Sequence, residues 1–356
     1  MMFKVLVVDD SVVYRKAISM ALENEPSIEV VGSAPNGKIA IERIKQFSPD
    51  LITLDLEMPV MDGLATIKEI RKFNKDIRIL IFSSVSVRGA NITFDALSSG
   101  ADDFLTKSNI GAADFDESIK VLKSELVPKI IQFKSKSPVN LSSTMNTIGR
   151  IKSQQNILRY PKAIGIGSST GGPETLKTIF KSFSANNFIP ILIAQHMPKL
   201  FTKQLAGMLD GLSSYEVKEG EDGEVVKNNT AYIAPGDFHM EVLSINNNYV
   251  LKMNQKEKLH FVRPAVDYLF ESMAKTYKES TMAFILTGMG EDGYRGVEAM
   301  KQYNVQVGIQ DEQSATVWGM PGAVYERSLQ DRILTPEQIS QWINEVNMQF
   351  MSRKVG

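Results

Sequence analysis

Carboxylates and one lysine recur in this chain directly after short apolar runs. Asp9 and Asp10 follow a run from Phe3 to Val8, Asp55 follows Leu51 to Leu54, and Lys107 follows Asp103-Phe104-Leu105-Thr106. If those runs are strands of a parallel sheet, the loops after them converge on one edge. Three carboxylates gathered there repel one another unless they share a hard divalent cation, and an all-oxygen ligand set suits Mg2+. Such a cation and Lys107 would neutralise charge on a transferring phosphoryl group, with Asp55 as its acceptor. Ser83, at the end of the run from Ile77 to Phe82, would donate to the new phosphoryl oxygens. Any one strand-end aspartate, taken alone, reads as a helix cap facing solvent. The expectation rests on the combination.

A second group lies in the other half. Ile164-Gly165-Ile166-Gly167-Ser168-Ser169-Thr170-Gly171-Gly172-Pro173-Glu174 reads as a strand, a glycine-rich turn and a helix start. Free N–H groups at a helix N-terminus favour an oxyanion or a phosphate. A dinucleotide loop is one reading, but the glycine spacing is a residue off the usual fingerprint. The next strand, near Ile189 to Ala194, also ends in Gln195-His196 where a ribose-binding acid would stand. The other reading makes Ser169 a nucleophile and His196 its base. Of 3 histidines in the chain, His196 is the one at an expected strand end; His239 and His260 read as structural or substrate-edge residues. A carboxylate to orient the imidazole is required. Asp292, after the run from Met282 to Leu286, is the candidate, with Glu291 as its neighbour and competitor.

The elements that must hold these groups follow from hydropathy. Apolar runs alternate with helix-spaced apolar positions such as Ala40, Ile41, Ile44 and Phe47, which implies parallel sheets with helices on both faces. The expected class is α/β, with two doubly wound parallel-sheet domains: a flavodoxin-like domain over 1–124 and a Rossmann-like domain over 161–350. Residues 216–250, rich in Gly, Asp, Asn and β-branched types, predict a hairpin inserted beside the second sheet. Residues 125–160, with Pro128, Pro138 and many small polar residues, predict a linker with room for a short helix.

The chain has 356 residues, 43% hydrophobic and 23% charged, which suits two soluble domains. Lys plus Arg total 40 against 41 for Asp plus Glu, so the basic surplus of a phosphate-binding nucleic-acid partner is missing. Cysteine is absent, which excludes disulfides and thiolate chemistry. The N-terminus lacks a signal-peptide pattern, and no apolar run reaches the roughly 18–20 residues of a membrane span. A monomer in the cytoplasm, without membrane insertion, is the expectation.

Two resemblances organise these readings. Val8-Asp9-Asp10-Ser11, Asp55-Leu56-Glu57-Met58-Pro59, Met61-Asp62-Gly63, Phe82-Ser83-Ser84 and Thr106-Lys107 resemble a response-regulator receiver domain. That resemblance implies Asp9, Asp10 and Asp55 as the Mg2+ cluster, Asp55 as phosphoacceptor, Ser83 and Phe104 as switch residues, and Lys107 as the partner lysine. Ser108 stands where the family usually has proline. The pieces Gly167-Ser168-Ser169-Thr170-Gly171-Gly172, Gln195-His196-Met197-Pro198, Pro264-Ala265-Val266-Asp267, Leu286-Thr287-Gly288-Met289-Gly290-Glu291-Asp292-Gly293 and Gly319-Met320-Pro321 resemble the chemotaxis protein-glutamate methylesterases. This implies Ser169, rather than Ser168, as nucleophile, with His196 and Asp292 completing a triad. Backbone groups at Thr170, Gly171 and Met289 would form the oxyanion hole. The implied substrates are methyl-accepting chemotaxis receptors, and the implied phosphodonor is a chemotaxis histidine kinase. No cofactor is expected for the ester step. The alternative from another class is a receiver whose second domain only binds a partner protein or DNA.

Overall fold

The computed structural model describes residues 2–107, 115–134, 161–184 and 188–354. The first unit runs β1 (Phe3–Val8), α1 (Val12–Leu22), β2 (Ile28–Ala34), α2 (Gly37–Phe47), β3 (Leu51–Asp55), α3 (Gly63–Phe73), β4 (Arg78–Ser83), α4 (Val87–Ser98), β5 (Asp103–Thr106) and α5 (Phe115–Lys134). Its five strands are parallel in the order β2-β1-β3-β4-β5, which is the flavodoxin-like winding. Strand β1 shows why. Leu6 and Val8 join one apolar cluster while Val5 and Val7 join another, so both faces are covered by helices and an unbroken aliphatic run is required. Each such side chain, fully buried, contributes about 1.5–3 kcal/mol.

The expected linker start at 125 is corrected by α5, which continues through Lys134 with Pro128 inside it. Leu122, Leu126, Ile130 and Phe133 are all buried along one helix face. That burial outweighs a missing N–H that normally costs about 3 kcal/mol in a helix interior. The remaining linker interval, 135–160, and Ser108 lie outside the described residues.

The second unit comprises β6 (Ala163–Ser168), α6 (Gly172–Lys181), β7 (Ile191–Gln195), α7 (Phe201–Asp210), β8 (Glu216–Glu219), β9 (Thr230–Ile233), β10 (His239–Ile245), β11 (Asn248–Asn254), α8 (Val266–Tyr277), β12 (Thr281–Ile285), α9 (Tyr294–Lys301), β13 (Gln306–Gln310), α10 (Gly319–Glu326), β14 (Arg332–Leu334) and α11 (Pro336–Lys354). Its sheet is parallel in the order β14-β13-β12-β6-β7-β9-β8. From β6 the chain winds first towards β7 and later, at β12, to the other side. The switch point therefore lies between β6 and β12, where open α/β sheets place their ligands.

The inserted hairpin is narrower than the sequence suggested. It is β10–β11 alone, antiparallel from His239 to Asn254. Strands β8 and β9, inside the interval read as hairpin, instead extend the main sheet in parallel. The difference is visible in burial: β9 is buried at every residue, as a strand covered on both faces must be, while the outer end of β10 is exposed. Among the described residues, no helix is long and apolar enough to cross a membrane.

The two units touch. Phe104 on β5 stacks on Phe201 at the start of α7, with ring centroids 4.7 Å apart. Residues of both units belong to one continuous apolar cluster.

Two candidate sites and the interface between them

The edge of the first sheet gathers the expected cluster. Asp9 and Asp55 are buried and Asp10 is exposed, and one carboxylate oxygen from each lies within 4.8 Å of the others. Lys107 Nζ stands 2.9 Å from Asp9 Oδ2 and 2.8 Å from Asp55 Oδ2. Burial pushes the Asp55 carboxyl above its ordinary range, and the Lys107 hydrogen bond opposes this only in part. For Lys107 burial works downward, but its bonds to Asp55 and Asp9 prevail and keep the ammonium. Three carboxylates facing one ammonium leave negative charge in excess, and buried Asp9 Oδ2 has no hydrogen bond of good geometry. This all-oxygen, charge-deficient set fits Mg2+. Asp62, by contrast, caps α3 through Ala65 N–H at 2.7 Å.

Ser83 lines the same cavity as Asp10, Asp55 and Lys107, while Phe104 lies at the boundary between the two units, against Phe201. Ser83 Oγ accepts from Thr93 Oγ1 at 2.7 Å and donates to Gly89 O at 3.2 Å, which ties it to α4.

In the second unit, the adjacent parallel strands β6 and β7 end in Ser169 and His196, and the neighbouring β12 leads into Asp292. Ser168 is fully buried and donates to Gln195 Oε1 at 2.6 Å, leaving the more accessible Ser169 at the turn. Gln195 Nε2 donates to both Ser169 O and His196 O, at 3.0 and 3.1 Å. This glutamine clamps the two loops together; the sequence reading used it only as a motif letter. The turn after Ser169 needs Gly171, which has φ 77°, and a Cβ there would meet Thr316 Oγ1 at 2.3 Å.

His196 Nε2 pairs with Asp292 Oδ2 at 2.7 Å, and Nδ1 has no hydrogen bond among the described residues. Among the described residues no hydrogen bond joins Ser169 Oγ to His196; such bonds commonly tighten only when substrate binds. Asp292 is 1% exposed, while Glu291 is half-buried and pairs with Arg327 at 3.0 Å. The geometry thus brings Asp292, not Glu291, to the histidine. Asp292 also accepts from the N–H groups of Val266 and Asp267 at 2.6 and 3.0 Å, capping α8. Burial raises its pKa, but the His196 bond, the His196 charge and these N–H groups together hold it below the usual range.

Asp267, in the first turn of α8, returns the favour to α9. Its Oδ1 accepts from Gly293 N–H and Gly296 N–H at 3.0 and 2.8 Å. Burial, then repulsion from Asp292, pushes it up to about 6. Sequence reading missed this second carboxylate, although an acid at a helix start is a visible signal. His239 is structural: Nδ1 accepts from Ala265 N–H and Nε2 donates to Glu257 O, each at 3.1 Å. Burial lowers its pKa, consistent with this neutral tautomer.

Around Ser169, the N–H groups of Thr170, Gly171 and Met289 have no acceptor among the described residues. Thr287 Oγ1 donates to Thr170 O at 2.9 Å, bracing the β12 loop against the serine turn. The first unit reaches this place too. Thr170 Oγ1 donates to Asp103 Oδ2 at 2.7 Å, and Lys129 Nζ pairs with the same carboxylate. Glu174 and Lys177 on α6 both bond Ser98 on α4, at 3.0 and 2.6 Å.

Comparison with known proteins agrees with this two-part layout. Residues 5–119 match the response regulator receiver domain family, and residues 164–343 match the CheB methylesterase family. A protein-glutamate methylesterase/protein-glutamine glutaminase of Trichodesmium erythraeum is 39% identical over 346 residues, covering 96% of this chain and 98% of the relative. One of the same description from Halalkalibacterium halodurans is 40% identical over 339 residues, covering 95% and 96%. The crystal structure of the Thermotoga maritima CheB methylesterase catalytic domain is 42% identical, with a TM-score of 0.51, over 52% of this chain and 98% of that one.

Proposed function

The chain belongs to the CheB methylesterase family, and from that membership we propose how its residues divide the work. The enzyme is a protein-glutamate methylesterase and protein-glutamine glutaminase joined to a receiver domain, a hydrolase of chemotaxis controlled by phosphorylation.

Ser169 Oγ attacks the ester carbonyl carbon while His196 Nδ1 takes its proton. The carbonyl oxygen, now anionic, lies against the N–H groups of Thr170, Gly171 and Met289. Collapse breaks the carbon–oxygen bond to the methoxy group, which leaves as methanol with the proton from His196. Water then repeats the sequence on the acyl-enzyme and frees the glutamate carboxylate. With a glutamine side chain the leaving group is ammonia. Asp292 orients the imidazole and stabilises its charged form. The observation that supports this reading most is the buried His196–Asp292 pair beside the Ser169 turn.

In the receiver, Asp55 accepts a phosphoryl group from a histidine kinase, and Lys107 holds its oxygens. Asp9, Asp10 and Asp55 would hold Mg2+, which when bound supplies charge neutralisation for the transfer. The substrate is a methyl-accepting receptor, and the working form is a cytoplasmic monomer. The unphosphorylated receiver obstructs a protein substrate, a reading supported by the bond from Thr170, next to Ser169, to Asp103 of the receiver.

A fluorophosphonate probe followed by peptide mass spectrometry tests the nucleophile. The expected adduct is on Ser169; an adduct on Ser168, or none on an active enzyme, removes the assignment.

A further inference from the structure

Phe261 is 95% exposed, an unusual position for a large apolar ring whose burial is strongly favourable. It sits at the tip of the turn Leu259-His260-Phe261-Val262, closed by a Val262 N–H to Leu259 O bond of 2.9 Å and by a Leu259–Val262 bridge. The two central residues, His260 and Phe261, have φ of 51° and 64°. That conformation suits Asn-Gly and strains a histidine and a phenylalanine. Observed strain at a functional rim is grounds for asking what it does.

The turn is tied to the catalytic centre. His260 Nε2 stands 3.6 Å from buried Asp267 Oδ2, and nitrogen and carboxylate atoms of His260, Asp267 and Asp292 lie within 4.8 Å of one another. Asp267 Oδ2 has no hydrogen bond of good geometry, and the exposed His260 faces it. The turn that exposes Phe261 therefore adjoins the carboxylates behind His196.

We propose that the 259–262 turn is a substrate-recognition arm, with Phe261 packing on an apolar side chain of the protein that carries the esterified glutamate. The inference rests on the methylesterase reading, because a methyl ester is too small to be recognised without the polypeptide around it. His260 anchors the arm over Asp267 and fixes where the ring is presented. A second copy of the chain is the competing occupant of so exposed a ring.

The test compares two substrates with the full-length enzyme: methyl-labelled chemoreceptor membranes and p-nitrophenyl acetate. Phe261→Ala is expected to raise KM for the receptor at least tenfold, with kcat and small-ester hydrolysis within twofold of wild type. Phe261→Leu should recover most of the loss. The double substitution His260→Asn with Phe261→Gly should raise Tm, by relieving the turn, yet bind receptor as weakly as Phe261→Ala. An unchanged receptor KM for Phe261→Ala overturns the proposal, as does Phe261-dependent self-association in sedimentation with KM unchanged. If wild-type enzyme hydrolyses the small ester but releases no methanol from receptors, the methylesterase reading fails first and this inference with it.

Discussion

At the scale of single residues, the proposed ester chemistry rests on three side chains at three neighbouring strand ends, Ser169, His196 and Asp292. Ser169→Ala and His196→Ala are expected to lower methanol release about 10⁴-fold or more, and Asp292→Ala somewhat less, with folding intact by circular dichroism. Near-normal turnover by Ser169→Ala would remove the nucleophile. Glu291→Ala should keep full activity, since its partner is Arg327 at the surface. Asp267 offers a second, thermodynamic test. Its folded pKa of about 6 exceeds the ordinary 3.8, so the fold favours the protonated acid. The contribution is fully present below the ordinary value and is lost as pH rises through about 6, at most about 3 kcal/mol. Asp267→Asn keeps a neutral acceptor for Gly293 and Gly296, so its Tm advantage should be small at pH 4 and grow towards pH 7. A difference that is flat across this range contradicts the argument. These residues were unequally legible beforehand. Ser169, His196 and Asp292 follow apolar runs and can be found by position, whereas Asp267 matters through its packing against another carboxylate, which spacing does not reveal.

At the scale of elements, the sheet does the positioning and loops are locked by close approach. Alternating apolar runs were enough to read two doubly wound sheets, because strands buried on both faces must be continuous in apolar residues. The reading failed where competing forces decide locally. The interval from 125 looked like a linker, but four buried side chains on one face of α5 carry the helix through Pro128 to Lys134. Residues 216–250 looked like a hairpin, but only pairing partners distinguish β8 and β9, parallel members of the main sheet, from a hairpin strand. The β12 loop gives a prediction of its own. A Cβ on Gly288 would meet Met320 Sδ at 2.2 Å and Ser169 Cβ at 2.8 Å. Gly288→Ala should therefore lower stability by about 1–3 kcal/mol and cut kcat at least tenfold, since relief requires moving Ser169 or the loop that carries Asp292. Unchanged kcat on both a small ester and receptor would mean that the loop is held less tightly than these distances require.

At the scale of the whole molecule, the receiver and the esterase share one apolar cluster, and three contacts explain how one could govern the other. Ser83 is tied to Thr93 and Gly89 on α4, Phe104 stacks on Phe201, and Asp103 accepts from Thr170 beside Ser169. A phosphoryl group on Asp55 would draw Ser83 from α4 and release Phe104 from its stack, loosening the hold on Thr170. A tenfold change in activity needs a bias of only about 1.4 kcal/mol between two arrangements. Asp103→Ala should accordingly raise the activity of unphosphorylated enzyme on receptor several-fold and shrink its response to phosphorylation, while p-nitrophenyl acetate hydrolysis stays nearly constant. A loss of receptor activity in this variant would mean that the contact assists catalysis rather than restraining it. The central claim, a serine esterase governed by an aspartyl phosphate on the same chain, is tested most directly by methanol release from methyl-labelled receptor membranes with Mg2+, with and without a small-molecule phosphodonor. Wild-type enzyme should release methanol slowly and accelerate at least tenfold with donor, Asp55→Asn should release it at the slow rate under both conditions, and Ser169→Ala should release none. Equal acceleration of wild type and Asp55→Asn, or release by Ser169→Ala, would contradict the account.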